Sequence, residues 1–294
     1  MKNILVPTDF SPAANCAARY ALHLAAFLKA DLTLCNAMLI PVNAIAAAQV
    51  AWPLETYDEI KKEVTEQLQQ ETEKLKHLLI ERTDFFPNEF RPDISYTSEV
   101  GEVTDVIQDV MDKYYISLLV MGMSGKSGLE RFFMGSPSHE VIEKGNFPVL
   151  LIPPSYTFQP VKKIAFATNF DRGDVNVLHT LACFAKTLDA EIEVCHISDN
   201  KFEETEGKYL ADVFVMEICN KVNYPKIHYN HIKSRQVNQG LNWLHEHAGV
   251  DMLVMVHRPH SFLANMFLSS HTQKLAQHVS LPLLVFPPEY GAAI

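Results

Sequence analysis

The chain has 294 residues, 48% of them apolar and 20% charged, with a formal net charge of −10. That balance excludes a disordered chain and leaves room for two ordinary domains. The acidic charge disfavours nucleic acid as a partner, no apolar run reaches the ~18–20 residues of a membrane span, and the opening MKNILVPTDF is too short for a signal-peptide core; a cytoplasmic protein is expected.

In chain order, the first half predicts strands at 3–7, 31–36, 93–98, 117–122 and 148–152. Each is short, rich in Val, Ile and Leu, and bounded by Pro, Asp or Gly. Helices are predicted at 12–29, 55–82, 102–113 and 137–144, the second of them dense in Glu, Lys, Gln and Leu. The second half predicts strands at 162–167, 191–197, 226–232, 251–256 and 282–286, with helices at 172–188, 203–221, 236–247 and 270–279. Strands alternating with helices imply right-handed βαβ units and a parallel sheet covered on both faces. The runs LLVMG (118–122) and MLVMV (252–256) are apolar without alternation, as strands buried on both sides are.

The two halves are copies. KNILVPTDF (2–10) matches KKIAFATNF (162–170), ADLTLCNA (30–37) matches AEIEVCHI (190–197), and NFPVLLIPPSY (146–156) matches SLPLLVFPPEY (280–290). Three collinear matches are the mark of duplication. Pro153, Pro154 and Pro160 punctuate the join, so domains are expected at 1–155 and 161–294. The five cysteines form no C-x-x-C pair, and those in apolar stretches read as small core residues.

Open parallel sheets bind ligands at the carboxyl ends of their strands. After Val120 and Met121 the chain runs Gly122-Met-Ser-Gly125, and nine residues later Gly135-Ser136-Pro137. Glycines let backbone approach a bulky anion, and a helix start offers free N–H groups and a positive dipole end to phosphate. Ser136 suits the N-cap and Pro137 the first helical position. By itself, the pattern is also that of a loop that uses glycine to turn. Gly125-Lys126-Ser127 is not the end of a P-loop, because the required first glycine would fall at Val120.

The G-x2-G-x9-G-S spacing resembles the nucleotide-binding motif of the universal stress protein family, in its ATP-binding branch. VPTDFS (6–11) and FPVLLIP (147–153) are similar to that family's first and last strands. The resemblance implies two tandem α/β domains of the adenine nucleotide alpha hydrolase-like, Rossmann-like class. Each would be an open, mostly parallel five-stranded sheet with helices on both faces. It implies ATP, or a related adenine nucleotide, as the ligand of the first domain. Asp9 would lie at the nucleoside end with Pro7 and Thr8 beside it, and Ala37, Met38 and Leu39 would cover the base. Met121 and Gly122 would pass under the ribose and α-phosphate, while Gly125, Gly135 and Ser136 would hold the phosphates, with Pro137 beside them at the helix start and Ser138 adding its hydroxyl. Lys126 and Arg131, read on charge alone, are solvated loop residues long enough to reach a γ-phosphate. Mg²⁺ is expected with ATP, its ligands mostly phosphate oxygens and water.

At the matching place the second half reads His257-Arg258-Pro259-His260 and Ser269-Ser270-His271, so histidines are expected opposite Gly122 and Gly125. Asn169 stands for Asp9, and the second domain is expected not to bind ATP in the usual way. His245, His247, His257, His260 and His271 do not spell a zinc site: 245 and 247 point to different helix faces and no Cys or carboxylate joins them. In the family the last strand pairs between subunits, so a duplicated chain would pair PVLLIP (148–153) with PLLVFP (282–287) internally as a pseudo-dimer. A further homodimer of the whole chain is compatible with this. No G-x-S-x-G, H-E-x-x-H or placed Cys/His pair appears, so three functions stay open: a nucleotide-dependent regulatory protein, a slow ATPase or nucleotidyl enzyme, and an interaction module without nucleotide. Residues 40–54 carry no readable pattern.

Overall fold

The computed structural model describes residues 2–38, 54–81, 90–123, 136–198, 205–234, 240, 243–244, 246, 248–258, 281–292 and 294. Within them the chain forms strands β1 (Lys2–Pro7), β2 (Ala30–Met38), β3 (Ile94–Val100), β4 (Leu118–Gly122), β5 (Val149–Ile152), β6 (Lys163–Ala167), β7 (Glu191–Ser198), β8 (Ile227–Lys233), β9 (Met252–Val256) and β10 (Leu283–Phe286). Six helices accompany them: α1 (Pro12–Leu28), α2 (Leu54–Glu81), α3 (Val103–Lys113), α4 (Ser136–Lys144), α5 (Asp174–Leu188) and α6 (Thr205–Lys221). The expected helix at 270–279, and most of the one at 236–247, lie outside the described residues.

The chain divides into two compact units, Met1–Gly122 and Met123–Ile294. In the first, the strand order is β3-β2-β1-β4, and β1 pairs in parallel with both β2 and β4. The connection from β1 to β2 runs to one side and that from β3 to β4 crosses to the other, so the order reverses beside β1. In the second unit the order is β5-β10-β9-β6-β7-β8. There β6 lies parallel between β7 and β9, which repeats the reversal, and β10 pairs parallel to β9. The exception is β5, which meets β10 antiparallel with Leu150 opposite Leu284.

Burial follows from the sequence pattern. Leu118, Leu119, Val120, Met252 and Val254 are buried on both sides of the sheet, which is why their strands show no alternation. Helix α1 presses six buried alanines, among them Ala14, Ala17, Ala21 and Ala25, toward the sheet, and these small side chains let it lie close. Ser11 caps it, its Oγ accepting the Ala14 amide at 3.2 Å, and Pro12 fills the first turn.

The duplication is written in the backbone as well. Among the described residues, six non-glycine residues with positive φ fall in matched pairs, Phe10 (61°) with Phe170 (65°), Lys29 (53°) with Asp189 (55°), and Ser155 (59°) with Glu289 (57°), while Tyr115 (51°) is matched by a glycine, Gly249 (62°). Each pair sits at equivalent points of the two copies.

Candidate functional site

The sequence-expected residues that the structure describes in the first unit converge on one edge. Pro7 ends β1, and Thr8 and Asp9 follow it; Ala37 and Met38 end β2; Met121 and Gly122 end β4. These are the carboxyl ends of three adjacent strands, β2-β1-β4, at the reversal of strand order. Ser136, Pro137 and Ser138 begin α4, in the second compact unit, where Ser138 is buried. Leu39, Gly125 and Gly135, with Lys126 and Arg131, lie outside the described residues, as do His245, His247, His260 and His271.

The turn from β1 into α1 is built by its own side chains. The Thr8 amide donates to the Cys35 carbonyl at 2.8 Å, which extends the β1–β2 ladder by one residue. The Thr8 hydroxyl accepts the Phe10 amide at 3.0 Å, and the Asp9 carboxylate accepts the Ser11 amide at 3.0 Å. Such Asx- and Thr-type bonds let the chain turn through the positive φ of Phe10. Thr8 is buried while Asp9 is exposed, so its carboxylate stands at the sheet edge facing outward. From β2, the Asn36 side-chain amide donates to the Thr8 carbonyl at 2.8 Å.

Gly122 has a packing reason to be glycine. A Cβ there would lie 2.3 Å from the Ala13 carbonyl oxygen and 2.5 Å from its carbon. The carboxyl end of β4 therefore touches the backbone of α1 directly.

The second copy keeps the turn and changes its surroundings. The Thr168 amide donates to the Cys195 carbonyl at 3.0 Å, and the Thr168 hydroxyl accepts the Phe170 amide at 2.9 Å. His196 takes the place of Asn36, its Nδ1 lying 2.9 Å from the Thr168 carbonyl and its ring stacked on Phe170 at 4.3 Å. Burial, and secondarily His231, holds the His196 pKa below the ordinary histidine value, against the pull of the Thr168 carbonyl. Both ladder cysteines are chemically quiet: burial pushes the Cys35 and Cys195 thiols up to about 12, with Glu99 and Glu193 adding to it respectively.

Where α1 begins with alanines, α5 begins with a charged cluster. Asp174, buried, accepts the Thr168 hydroxyl at 2.6 Å and binds the Arg258 guanidinium, which also reaches Asp171 at 3.2 Å. Burial raises the Asp174 pKa, opposed by Thr168 and Arg258. The Arg258 Nη2 lies 3.6 Å from where a Cβ of Gly173 would stand. A guanidinium and two carboxylates thus close the corner at the start of the second copy's first helix.

Strand register corrects one sequence expectation. Ile4 pairs with Leu118 and the equivalent Ile164 pairs with Met252, so the counterpart of Gly122 is Val256, not His257. His257 answers instead to Met123: their amides donate to the Phe286 and Ile152 carbonyls, each at 2.8 Å. Burial keeps the His257 pKa low; Glu143 pulls it up and His139 pushes it down. Among the described residues no three His, Cys, Asp or Glu side chains are grouped to hold a metal ion, and no helix is long and apolar enough to cross a membrane.

Sequence reasoning missed Asn36, Asp174 and Arg258. The signal for the first was a polar residue after the cysteine of an apolar strand, in both ADLTLCNA and AEIEVCHI. For the others it was the replacement of Ala14 by an aspartate in one copy only.

Two segments, 1–153 and 160–287, match the model of the Universal stress protein family. A universal stress protein of Methanocaldococcus jannaschii is 27% identical over 151 residues, 51% of this chain and 81% of its own length. A universal stress protein from Archaeoglobus fulgidus matches in structure with a TM-score of 0.71 at 18% identity, covering 97% of this chain and 98% of its own. A Pseudomonas aeruginosa structure ascribed to the same family has a TM-score of 0.58 at 12% identity, covering 98% of this chain and 94% of its own.

Proposed function

This chain belongs to the universal stress protein family, and from that premise we propose that its first repeat binds an adenine nucleotide, ATP, as a regulatory ligand in the cytoplasm. The observation that carries the reading is the outward Asp9 carboxylate, held by a side-chain-built turn where the strand order reverses. The second repeat supports it by contrast. It has the same turn, yet an asparagine replaces Asp9, and Arg258 with two aspartates fills the corner.

In this reading the domains are 1–155 and 161–294, and the second serves as the pseudo-dimer partner of the first. Its support is the antiparallel pairing of β5 with β10, the last strands of the two copies. Gly125, Gly135, Ser136 and Ser138 hold the phosphates with Mg²⁺, as the family motif implies. The sequence carries no catalytic-base motif to activate water, and in this reading the nucleotide is hydrolysed slowly at most.

The test is to denature freshly purified protein, identify released nucleotide by chromatography and mass, and titrate the emptied protein with ATP and Mg²⁺. About one ATP per chain, lost in Asp9→Ala and Gly135→Val variants, is the expected result. Absence of both nucleotide and binding heat would overturn the assignment and favour an interaction module. Turnover that disappears in the same variants would make the protein a slow ATPase instead.

A further inference from the structure

Asn36 is a polar residue buried to 9% exposure in a strand whose neighbours Leu34 and Cys35 are core. Its Nδ2 donates to the Thr8 carbonyl oxygen at 2.8 Å. That oxygen belongs to the planar peptide unit that also carries the Asp9 amide nitrogen. Fixing it fixes the plane from which Asp9 departs. In the second repeat a chemically different side chain does the same: His196 places Nδ1 2.9 Å from the Thr168 carbonyl, at the equivalent position. The carbonyl oxygen needs a donor, so that nitrogen carries the hydrogen. Asparagine and histidine share neither shape nor charge range; what the two copies have in common is one N–H aimed at one carbonyl.

We infer that Asn36 is the positioning residue of the first repeat's site: its side-chain amide sets the Thr8–Asp9 peptide plane, and through it the direction of the Asp9 carboxylate. The effect on nucleotide affinity rests on the function proposed above; the effect on the turn does not. Two amides report the turn directly, that of Phe10 on the Thr8 hydroxyl and that of Ser11 on the Asp9 carboxylate.

The experiment uses the full chain with Asn36→Leu, which keeps the branched side-chain skeleton and removes the donor, and Asn36→His, which installs the donor of the other repeat. Hydrogen exchange is followed at Phe10 and Ser11, with Leu5 and Val6 of β1 as references, and ATP affinity is measured by calorimetry. In Asn36→Leu the two turn amides are expected to exchange about tenfold faster and ATP to bind about tenfold more weakly, the scale of one lost buried hydrogen bond. In Asn36→His both are expected within about threefold of wild type, because a donor is restored. Unchanged exchange in Asn36→Leu, or an Asn36→His variant as damaged as Asn36→Leu, overturns the inference. Should Asn36→Leu fail to fold, Asn36→His alone decides, since a requirement for asparagine's shape would strip protection from it. A wild-type chain that binds no ATP would overturn the proposed function, while the exchange comparison still judges Asn36.

Discussion

At the end of β4, a single missing methyl decides how close a helix can come. Alanine at Gly122 would set its Cβ 2.3 Å from the Ala13 carbonyl oxygen. Gly122→Ala is therefore expected to destabilise the chain by about 1–3 kcal/mol or more, read as a lower urea midpoint. Adding Ala13→Gly should not restore it, because the atom met is backbone; recovery in the double variant would refute the contact. Arg258 presents the opposite case. Arg258→Met would leave the buried Asp174 carboxylate without its cation, and a loss of about 3–5 kcal/mol is expected by the same measurement. These residues show where reading a sequence stops. The packing role of Gly122 is hidden in the sequence because its partner, Ala13, lies more than a hundred positions away, and Arg258 stands among histidines whose chemistry is the more conspicuous. The mismatch of His257 with Gly122 was a slip of one position, which only the pairing of β9 with β6 corrects.

Among the elements, the strands were legible and the caps less so. All ten described strands lie within one or two residues of their expected positions; the central ones do so because non-alternating Val, Ile and Leu runs leave few other structures open, while β3 (ISYTSEV) and β8 (IHYNHIK) are polar edge strands. Helix starts diverge between copies although their turns agree. Ser11→Ala should cost about 1 kcal/mol by removing the acceptor of the Ala14 amide. The equivalent Asp171 instead accepts the Gly173 amide and binds Arg258, so α5 starts without a side-chain cap. The β5–β10 pair makes a sharper prediction. Leu284 sits in a strand bonded on both sides, to β5 and β9. Leu284→Pro removes a ladder donor there, is expected to cost about 3 kcal/mol or more, and frees strand edges that pair with other chains. Light scattering should show growth in mass; a monodisperse variant with an unchanged unfolding midpoint would count against the pairing.

For the whole molecule, proton binding sets a testable slope. His196 and His257 both have pKa values below the ordinary 6.5, chiefly because burial disfavours their charged forms. The unfolded chain then binds more protons than the native one below about 6.5, so their contribution to stability is full above that pH and is lost as pH falls through the depressed values. Glu193 adds to this in stronger acid. Burial pushes its pKa up, but Lys163 and Asn230 bring it net below 4.5. The urea midpoint should hold from pH 8 to about pH 6.5 and fall below that toward pH 5, less steeply in His196→Asn; a flat profile below pH 6.5 would contradict both assignments. The repeat itself was legible from three collinear matches. The division into compact units at Gly122/Met123 was not, since it depends on β5 joining β10 rather than on any local signal.

Lys29 and Asp189 close their helices at φ values of 53° and 55°, yet carry opposite charges. The chain thus holds two specimens of one bent backbone under different electrical loads. Glycine at either position relaxes the same torsional penalty, about 1 kcal/mol. Whatever difference remains between the two variants belongs to the side chain removed, so that each half of the molecule calibrates the other.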